Sequence, residues 1–309
     1  MDAILLDHPV WSTTFPHRVT PLYDEWLASL LLRCDEVNHW ASGETLRFLI
    51  RSTGHPGFGP KSSLIIAPQS ILDRFAQYLM SSSARLLATT YATELAHLYP
   101  PVWYFPEKEP YPGLLLGRHY RRENWSRRHG PGPKEVATER RLHLCPACIA
   151  QTRSMRRTVT LPHLHYCPIH QVALQERCPC GRPLSFFSQG KPPFACDACG
   201  LDWAQWPQTA LPLDRVALER DLLALYELFL LKGTPELRAS ALRLARHRLK
   251  ENESLQPKVS GKTLKSATIR RSKQFSLAYL VDILVRIDIS PNDITGNALS
   301  LSRAELGLP

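Results

Sequence analysis

The feature that most constrains the fold of this chain is a dense cluster of cysteines near its middle. Seven of the eight cysteines lie between Cys145 and Cys199. The sequence shows no signal-peptide pattern, so we expect a reducing environment, in which closely paired cysteines favour metal binding over disulfides. The cluster therefore predicts a zinc protein.

The spacing within the cluster divides the ligands into two sets of four. Cys145-x2-Cys148 is followed after 18 residues by Cys167-x2-His170. Cys178-x-Cys180 is followed after 15 residues by Cys196-x2-Cys199. Zinc favours four tetrahedral ligands, and two short knuckles close one site without leaving a position for water. We therefore expect two structural zinc ions per chain, held by Cys145, Cys148, Cys167, His170, Cys178, Cys180, Cys196 and Cys199.

Neighbouring residues refine this assignment and leave one alternative open. His163 and His165 lie just before Cys167, so either could replace His170 as a ligand. Gly181 and Gly200 directly follow knuckles, where a left-handed backbone turns amides toward sulfur. Cys145 and Cys148 could instead form a redox-active pair, but such a pair belongs in the strand-to-helix turn of a βαβ unit. Here further ligand pairs follow, which favours metal binding.

Helical patterns flank the cluster on both sides. Helices are predicted over 26–33, from 42 or 43 to 51, over 69–80 and 84–97, and later over 214–231, 235–250 and 274–287. The acidic pair Asp24 and Glu25 is assigned to the start of the first helix. Cys34, outside the cluster, is expected to be a buried small hydrophobe.

These patterns predict a mainly α fold with small β zinc ribbons. The expected domains are an N-terminal helical domain (1–98), a basic Pro/aromatic linker (99–140), a tandem zinc-ribbon module (141–206) and a C-terminal helical domain (207–309). Within the last domain, residues 263–285 could form a helix-turn-helix-like pair, although a plain helical bundle explains their apolar positions equally well. The segment 250–273 is expected to be a loop or a short helix pair.

The formal net charge of +10 is concentrated in two segments. The first basic segment (117–157) carries a net +8 and the second basic segment (232–273) a net +9, whereas the rest of the chain is weakly acidic. Concentrated positive charge favours binding to a phosphate backbone, although a solubilising surface is the alternative. The candidate nucleic-acid contacts are Arg118, Arg121, Arg122, Arg127, Arg128, Arg156, Arg157, Lys262, Lys265, Arg270, Arg271 and Lys273.

Enzymatic and membrane functions are not expected. The sequence contains no nucleophile elbow, phosphate-binding glycine loop or nucleotide fingerprint. The most apolar helix candidate, Leu222 to Leu231, is far shorter than a bilayer requires.

Two regions of the chain resemble the TniQ family, which includes TnsD-type target selectors of cut-and-paste transposons. Residues 21–33 (PLYDEWLASLLLR), with Asn38 downstream, are similar to the opening of the family. Residues 145–148 (CPAC), 165–170 (HYCPIH), 178–181 (CPCG) and 196–202 (CDACGLD) are similar to its tandem zinc ribbons.

The resemblance implies a non-enzymatic adaptor in transposition target selection. Such an adaptor links a Cascade-like, RNA-guided CRISPR effector complex with its guide RNA, or target DNA, to an AAA+ transposition regulator. Its helical domain would dock proteins, and its zinc ribbons would act as rigid spacers. A sequence-specific DNA-binding target selector of the TnsD type and a zinc-ribbon transcription factor are the alternatives. We expect the protein to lie in the bacterial cytoplasm, associated with the nucleoid, and to have no membrane partner. A homodimer is a further alternative that the sequence does not decide.

Overall fold

A computed structural model describes residues 14–53, 69–91, 93–94, 143–161, 164–251, 258–259, 262–263 and 277–296. This part of the chain is mainly helical with little strand, which agrees with the mainly α character predicted from the sequence. None of its helices is both long enough and apolar enough to cross a membrane. The helices are α1 (Leu27–Val37), α2 (Glu44–Thr53), α3 (Gln69–Leu79), α4 (Ser83–Leu87), α5 (Pro146–Thr152), α6 (Leu213–Lys232), α7 (Pro235–Glu251) and α8 (Leu277–Arg286).

The predicted helices are largely found, with two differences. The helix expected over 84–97 starts at Ser83 but is interrupted after Leu87, where Ala88 caps it and a turn follows; Thr93 and Glu94 are helical again. The segment expected to be a loop or helix pair contains a short antiparallel pairing of β1 (Lys258–Val259) with β2 (Lys262–Thr263). The proposed helix-turn-helix region lies mostly outside the described residues, apart from β2 and α8.

The chain divides into two compact units. In the first unit, the described residues are 14–91, with the gap already noted, together with 143–160 and 165–210. The helices α1–α4 and the cysteine-rich segment therefore belong to one body. The second unit contains α6–α8 and the β1–β2 pair. The domain boundaries proposed from the sequence stay predictions.

An aromatic row joins α1 to the cysteine-rich segment inside the first unit. The Trp26 ring lies 5.1 Å from Phe186, edge to face. Phe186 lies 5.3 Å from Trp203, which in turn lies 5.7 Å from Phe194. All four side chains are buried, and they belong to the same apolar core as Cys145, Cys148, Cys167, Cys178 and Cys196. Such edge-to-face pairs add to the stabilisation from burial itself.

A buried carboxylate organises the start of α1. Glu25 accepts hydrogen bonds from the Leu22 amide, the Ser29 hydroxyl and the Arg33 guanidinium, the last at 2.7 Å. Burial raises the pKa of Glu25, although Arg33 and these hydrogen bonds oppose the shift. The expected helix-start role for the acidic pair is wrong, because Trp26 is the N-cap and neither acid lies in the first turn.

The same network holds residues 154–157 against α1. The Ser29 hydroxyl accepts a hydrogen bond from the Met155 amide at 2.7 Å, and the Trp26 amide donates to the Met155 carbonyl at 2.8 Å. Glu25 and Arg156 form an isolated antiparallel bridge. The backbone that follows the first cysteine knuckle is thus paired with the beginning of α1.

The start of α2 is fixed by Asp35 and by a close approach to the cysteine-rich segment. Asp35 accepts hydrogen bonds from the Gly43 and Thr45 amides at 2.6 and 2.7 Å, and burial raises its pKa to about 6. Gly43 has a φ of +86°, and a Cβ there would lie 2.9 Å from the Cβ of Phe187. Gly43 is therefore required by both backbone conformation and space.

The second unit is a small helical bundle. Tyr226 and Phe229 of α6 and Leu280 and Leu284 of α8 are fully buried. Helix α8 packs against both α6 and α7.

Replacing Gly43 tests the packing of α2 against the cysteine-rich segment. We expect Gly43→Ala to destabilise the zinc-loaded protein by about 2–4 kcal/mol, since it combines left-handed strain with a clash. Gly190→Ala is the matched control, because Gly190 has a φ of +70° but open space around it. The control should cost roughly 1–2 kcal/mol. Equal losses in urea denaturation would contradict the packing at Gly43.

Replacing Ser29 tests the link between α1 and Met155. Ser29→Ala leaves the buried Met155 amide without its acceptor, and we expect a loss of about 1–3 kcal/mol in the free energy of unfolding. Ser81→Ala is the control, because the buried Ser81 hydroxyl has no hydrogen-bond partner among the described residues. Its loss should stay within about 0.5 kcal/mol. A Ser29→Ala protein as stable as this control would refute the link.

Candidate metal centres

Each cysteine or histidine pair of the cluster lies in a tight local turn. Isolated antiparallel bridges close three of these turns: Tyr166 with Ala173, Arg177 with Pro183, and Ala195 with Asp202. The remaining pair lies at the start of α5, where Cys145 is the N-cap and Pro146 the first helical residue. Short chain segments therefore place every pair without a continuous sheet.

A left-handed residue follows the second ligand of three turns. Gly181 and Gly200 have φ values of +87° and +75°, as their positions after the knuckles predict. Their amides donate to the carbonyls of Cys178 and Cys196. Gln171 occupies the equivalent position after His170 with a φ of +53°. The sequence pattern did not reveal this third position, because its residue is not glycine.

Cys145, Cys148, Cys167 and His170 form the first quartet. The Nδ1 atom of His170 lies 3.5, 3.4 and 3.5 Å from the sulfurs of Cys145, Cys148 and Cys167, respectively. The sulfurs of Cys148 and Cys167 are 3.7 Å apart. The four side chains thus point toward one common centre.

Cys178, Cys180, Cys196 and Cys199 form the second quartet. The sulfurs of Cys178 and Cys199 are 3.5 Å apart, and those of Cys180 and Cys196 are 3.7 Å apart. In each quartet all the ligand atoms lie within 4.8 Å of one another.

These distances can be compared with those of a tetrahedral zinc site. With Zn–S bonds of about 2.3 Å and Zn–N bonds of about 2.0 Å, neighbouring sulfurs lie about 3.8 Å apart and a sulfur and a nitrogen about 3.5 Å apart. Both quartets are close to these values. The two clusters could each bind a metal ion, and their ligand chemistry is consistent with zinc.

Backbone amides favour the thiolate form that a metal requires. In all four pairs the amide of the second ligand residue hydrogen-bonds the sulfur of the first cysteine. Hydrogen bonds from the thiols of Cys145 and Cys148, together with the His170 amide, lower the pKa of Cys167. The shared hydrogen bonds raise the pKa of Cys148 in turn, and burial raises the pKa of Cys178. For Cys196, burial is the largest influence and acts upward, but the Cys199 and Ala198 amides and the neighbouring thiols bring the pKa down to about 7. Hydrogen bonds donated to a thiolate stabilise it and therefore lower the pKa of the thiol.

The orientation of His170 favours it over the other two histidines as a ligand of the first quartet. Its Nδ1 faces the three sulfurs, whereas its Nε2 lies 3.1 Å from Oε1 of Gln151 on α5. An acceptor at Nε2 fixes the tautomer whose Nδ1 lone pair faces the metal position. His165 lies outside the quartet, beside His143 and Glu176, and His163 lies outside the described residues. Gln151 carries no pattern that would have revealed this role.

The two quartets differ in their exposure to solvent. Cys145, Cys148 and Cys167 are all buried. In the second quartet, Cys180 and Cys199 are exposed.

Arg153 connects the second quartet to α1. It caps α5 in a left-handed conformation, donates to both carboxylate oxygens of Asp202, and donates through Nε to Glu36 at 3.0 Å. Its guanidinium also lies 4.8 Å from the Phe194 ring centroid. This arginine belongs to the first basic segment, but its charge is neutralised inside the unit.

The candidate nucleic-acid residues are only partly placed by the structure. Arg157 is bound within the unit: it pairs with Asp24, donates to the Thr90 carbonyl and lies over the Tyr91 ring. Arg156 is half-buried. Lys262 lies on β2. The other candidates lie outside the described residues: Arg118, Arg121, Arg122, Arg127, Arg128, Lys265, Arg270, Arg271 and Lys273.

The difference in exposure predicts the order of metal loss. A competing chelator should remove the zinc ions of the two quartets in two phases of one ion each, with the more exposed second quartet releasing before the first. Cys178→Ser should abolish the phase of the second quartet, because it removes one of the four thiolates that hold that ion. Cys34→Ala is the control, since Cys34 is a buried cysteine that belongs to neither quartet and its loss should leave both phases intact. Elemental analysis after exhaustive dialysis should find one firmly bound zinc ion in Cys178→Ser, and two firmly bound ions would contradict the ligand assignment.

Comparison with known protein families agrees with this architecture. The TniQ family model matches residues 16–174, slightly more than half of the chain. The matched range takes in α1–α5 and the whole first quartet. A search of curated proteins found no match. The resemblance inferred from the sequence is confirmed, and the chain belongs to the TniQ family.

Proposed function

We propose that this chain is a non-enzymatic adaptor of transposition target selection. Membership of the TniQ family indicates a transposition-associated role. In the proposed role, the chain connects a target-recognition complex to an AAA+ transposition regulator and supplies binding surfaces rather than chemistry. It would act at the bacterial nucleoid in the cytoplasm.

One observation carries the proposal most directly. The family match spans α1–α4 and the first quartet, and these elements share a single apolar core. The pairing of Met155 with Trp26 and Ser29 fixes them to one another. An adaptor needs surfaces held in a constant relation, and a common core provides this.

We assign one Zn²⁺ to each quartet, with the eight predicted residues as ligands. The donor sets are three sulfurs with one imidazole and four sulfurs, both of which are typical of structural zinc sites. Since both quartets contribute cysteines to the core, metal binding would stabilise the helices as well as the knuckles.

For target recognition, we favour an RNA-guided CRISPR effector complex of the Cascade type. The basic residues that are candidates for nucleic-acid contact would then lie against its guide RNA or against the target DNA. On α7, Arg243 and Arg248 are exposed and add to the basic character of the second unit. Direct reading of a DNA site, as in TnsD-type selectors, is the competing route.

Gentle purification of the tagged protein from its native host separates these routes. A co-purifying CRISPR RNA with effector subunits, identified by sequencing and mass spectrometry, would support the guided adaptor. One enriched genomic duplex without guide RNA would instead support direct recognition. Recovery of promoter DNA with RNA polymerase, and of neither transposition partner, would favour a zinc-ribbon transcription factor.

The first basic segment can be tested through the salt dependence of nucleic-acid binding. Changing Arg121, Arg122, Arg127 and Arg128 to alanine should reduce the slope of log K against log salt by up to about 3.6 for duplex DNA, if all four contact phosphates. Fluorescence anisotropy between 50 and 200 mM salt measures this slope.

A charge-matched variant provides the control for this experiment. It replaces four arginines that are exposed elsewhere in the two units: Arg51, Arg85, Arg215 and Arg220. Its slope should change much less, because these residues would act only through the overall field. Equal slopes in the two variants would assign the first basic segment to general charge rather than to phosphate contacts.

A further inference from the structure

A third group of metal-ligating side chains lies beside the first quartet. It contains His143, His165 and Glu176, whose ligand atoms all lie within 4.8 Å of one another. Each of the three stands two residues before a cysteine of the quartets. The group comes from three separate chain segments, and neither quartet uses any of its members.

Backbone pairing holds these segments together. Leu144 and Gln175 exchange two hydrogen bonds, at 3.1 and 2.8 Å, which places His143 and Glu176 next to one another. The Leu174 amide donates to the His165 carbonyl at 2.8 Å, which brings the third segment alongside. The convergence of the three side chains is therefore built by main-chain geometry and does not depend on flexible loops.

The side-chain geometry resembles that of a metal site. Nε2 of His143 lies 3.0 Å from Oε1 of Glu176, and the two imidazole rings are 5.5 Å apart, nearly perpendicular. Nitrogen and oxygen ligands of a tetrahedral zinc lie about 3.3 Å apart, so the observed separation is close to the required value.

The surroundings of His143 also suit a metal ligand. Its side chain is 8% exposed and that of Glu176 is 24% exposed, and Nε2 of His143 faces Oε1 of Glu176. A cation could bind these two facing atoms in place of the direct hydrogen bond between them.

We propose that His143, His165 and Glu176 form a third metal site, which binds a divalent ion of the zinc class. Two imidazoles and one carboxylate are borderline-hard donors that suit Zn²⁺, Co²⁺ or Ni²⁺ better than Ca²⁺ or Mg²⁺. Three protein ligands leave one position of a tetrahedral ion for water or an outside ligand. His143 is buried but His165 is exposed, so this position faces the solvent side.

The site differs from the quartets in ways that can be measured. It contains no thiolate, so a bound Co²⁺ would show visible d–d absorption without a sulfur-to-metal charge-transfer band. It has one ligand fewer and an exposed edge, so its ion should exchange faster than the quartet ions. It would also tie together the three segments that lead into the knuckles.

The experiment uses the full chain, free of any histidine tag and with two zinc ions bound. Co²⁺ is titrated in while absorption is recorded, and native mass spectrometry follows the zinc content. We expect one additional equivalent of Co²⁺ to bind without a thiolate band and without loss of zinc. His165→Gln and Glu176→Gln should each weaken this binding by about 100-fold or more, since even outer-shell changes cost 10–100-fold.

His17→Gln is the matched control, because His17 is exposed and lies outside the three groups. It should bind Co²⁺ like the unmodified protein, and all variants should retain two zinc ions, which shows that they are folded. Absence of a further equivalent would overturn the proposal. So would Co²⁺ binding that survives both substitutions, or binding that occurs only with a thiolate band and displacement of zinc.

Discussion

The rest of the first unit depends on the burial of the first quartet within the same core as α1. Cys145, Cys148 and Cys167 have almost no exposed surface, and their neighbours in the core include Trp26 and Leu27. Three thiols and an imidazole in such a place cannot all adopt their ligand protonation states without a compensating cation. A metal ion at their centre would remove this cost, and its binding free energy would then be part of the folding free energy of the helices. The cysteine-rich segment thus completes the apolar core of the helices α1–α4.

Polar groups at the edge of the core give this packing its specificity. Glu25 is fully buried, but three donors meet its carboxylate, and one of them, Ser29, also receives the Met155 amide. Arg153 performs a similar role on the other side by joining Glu36 of α1 to Asp202 of the last knuckle. Neither ion pair is expected to add much net stability, since desolvation offsets the attraction. Each of them is satisfied in only one arrangement of the two segments, so they select the register in which the apolar surfaces meet.

The features of the fold that could be predicted from the sequence share one property: their signal is local. The four pairs are defined by spacings of two or three residues, the left-handed turns at Gly181 and Gly200 by residue type, and α1–α3 and α6–α8 by apolar periodicity. The docking of Met155 on Ser29 joins residues 126 positions apart, and no local pattern encodes it. Glu25 shows the consequence. Its position just before α1 suggested a role at the start of the helix. Its partners are instead the Leu22 amide before the helix, Ser29 and Arg33 within it and, through Ser29, the distant Met155. Gln151 and Gln171 were missed for a related reason, because a glutamine in the sequence indicates neither an acceptor for a ligand histidine nor a left-handed turn.

Long-range contacts also determine how much of the chain's positive charge is available to a partner. The first basic segment was identified by counting side chains, yet the structure uses part of that charge internally: Arg153 is neutralised by Glu36 and Asp202, and Arg157 by Asp24. The charge left for a phosphate backbone is correspondingly smaller and belongs mainly to residues 117–141. Counting basic residues along the sequence therefore overstates the charge available to a nucleic acid. Part of that charge instead pairs the cysteine-rich segment with Glu36 of α1 and with Asp24, just before α1.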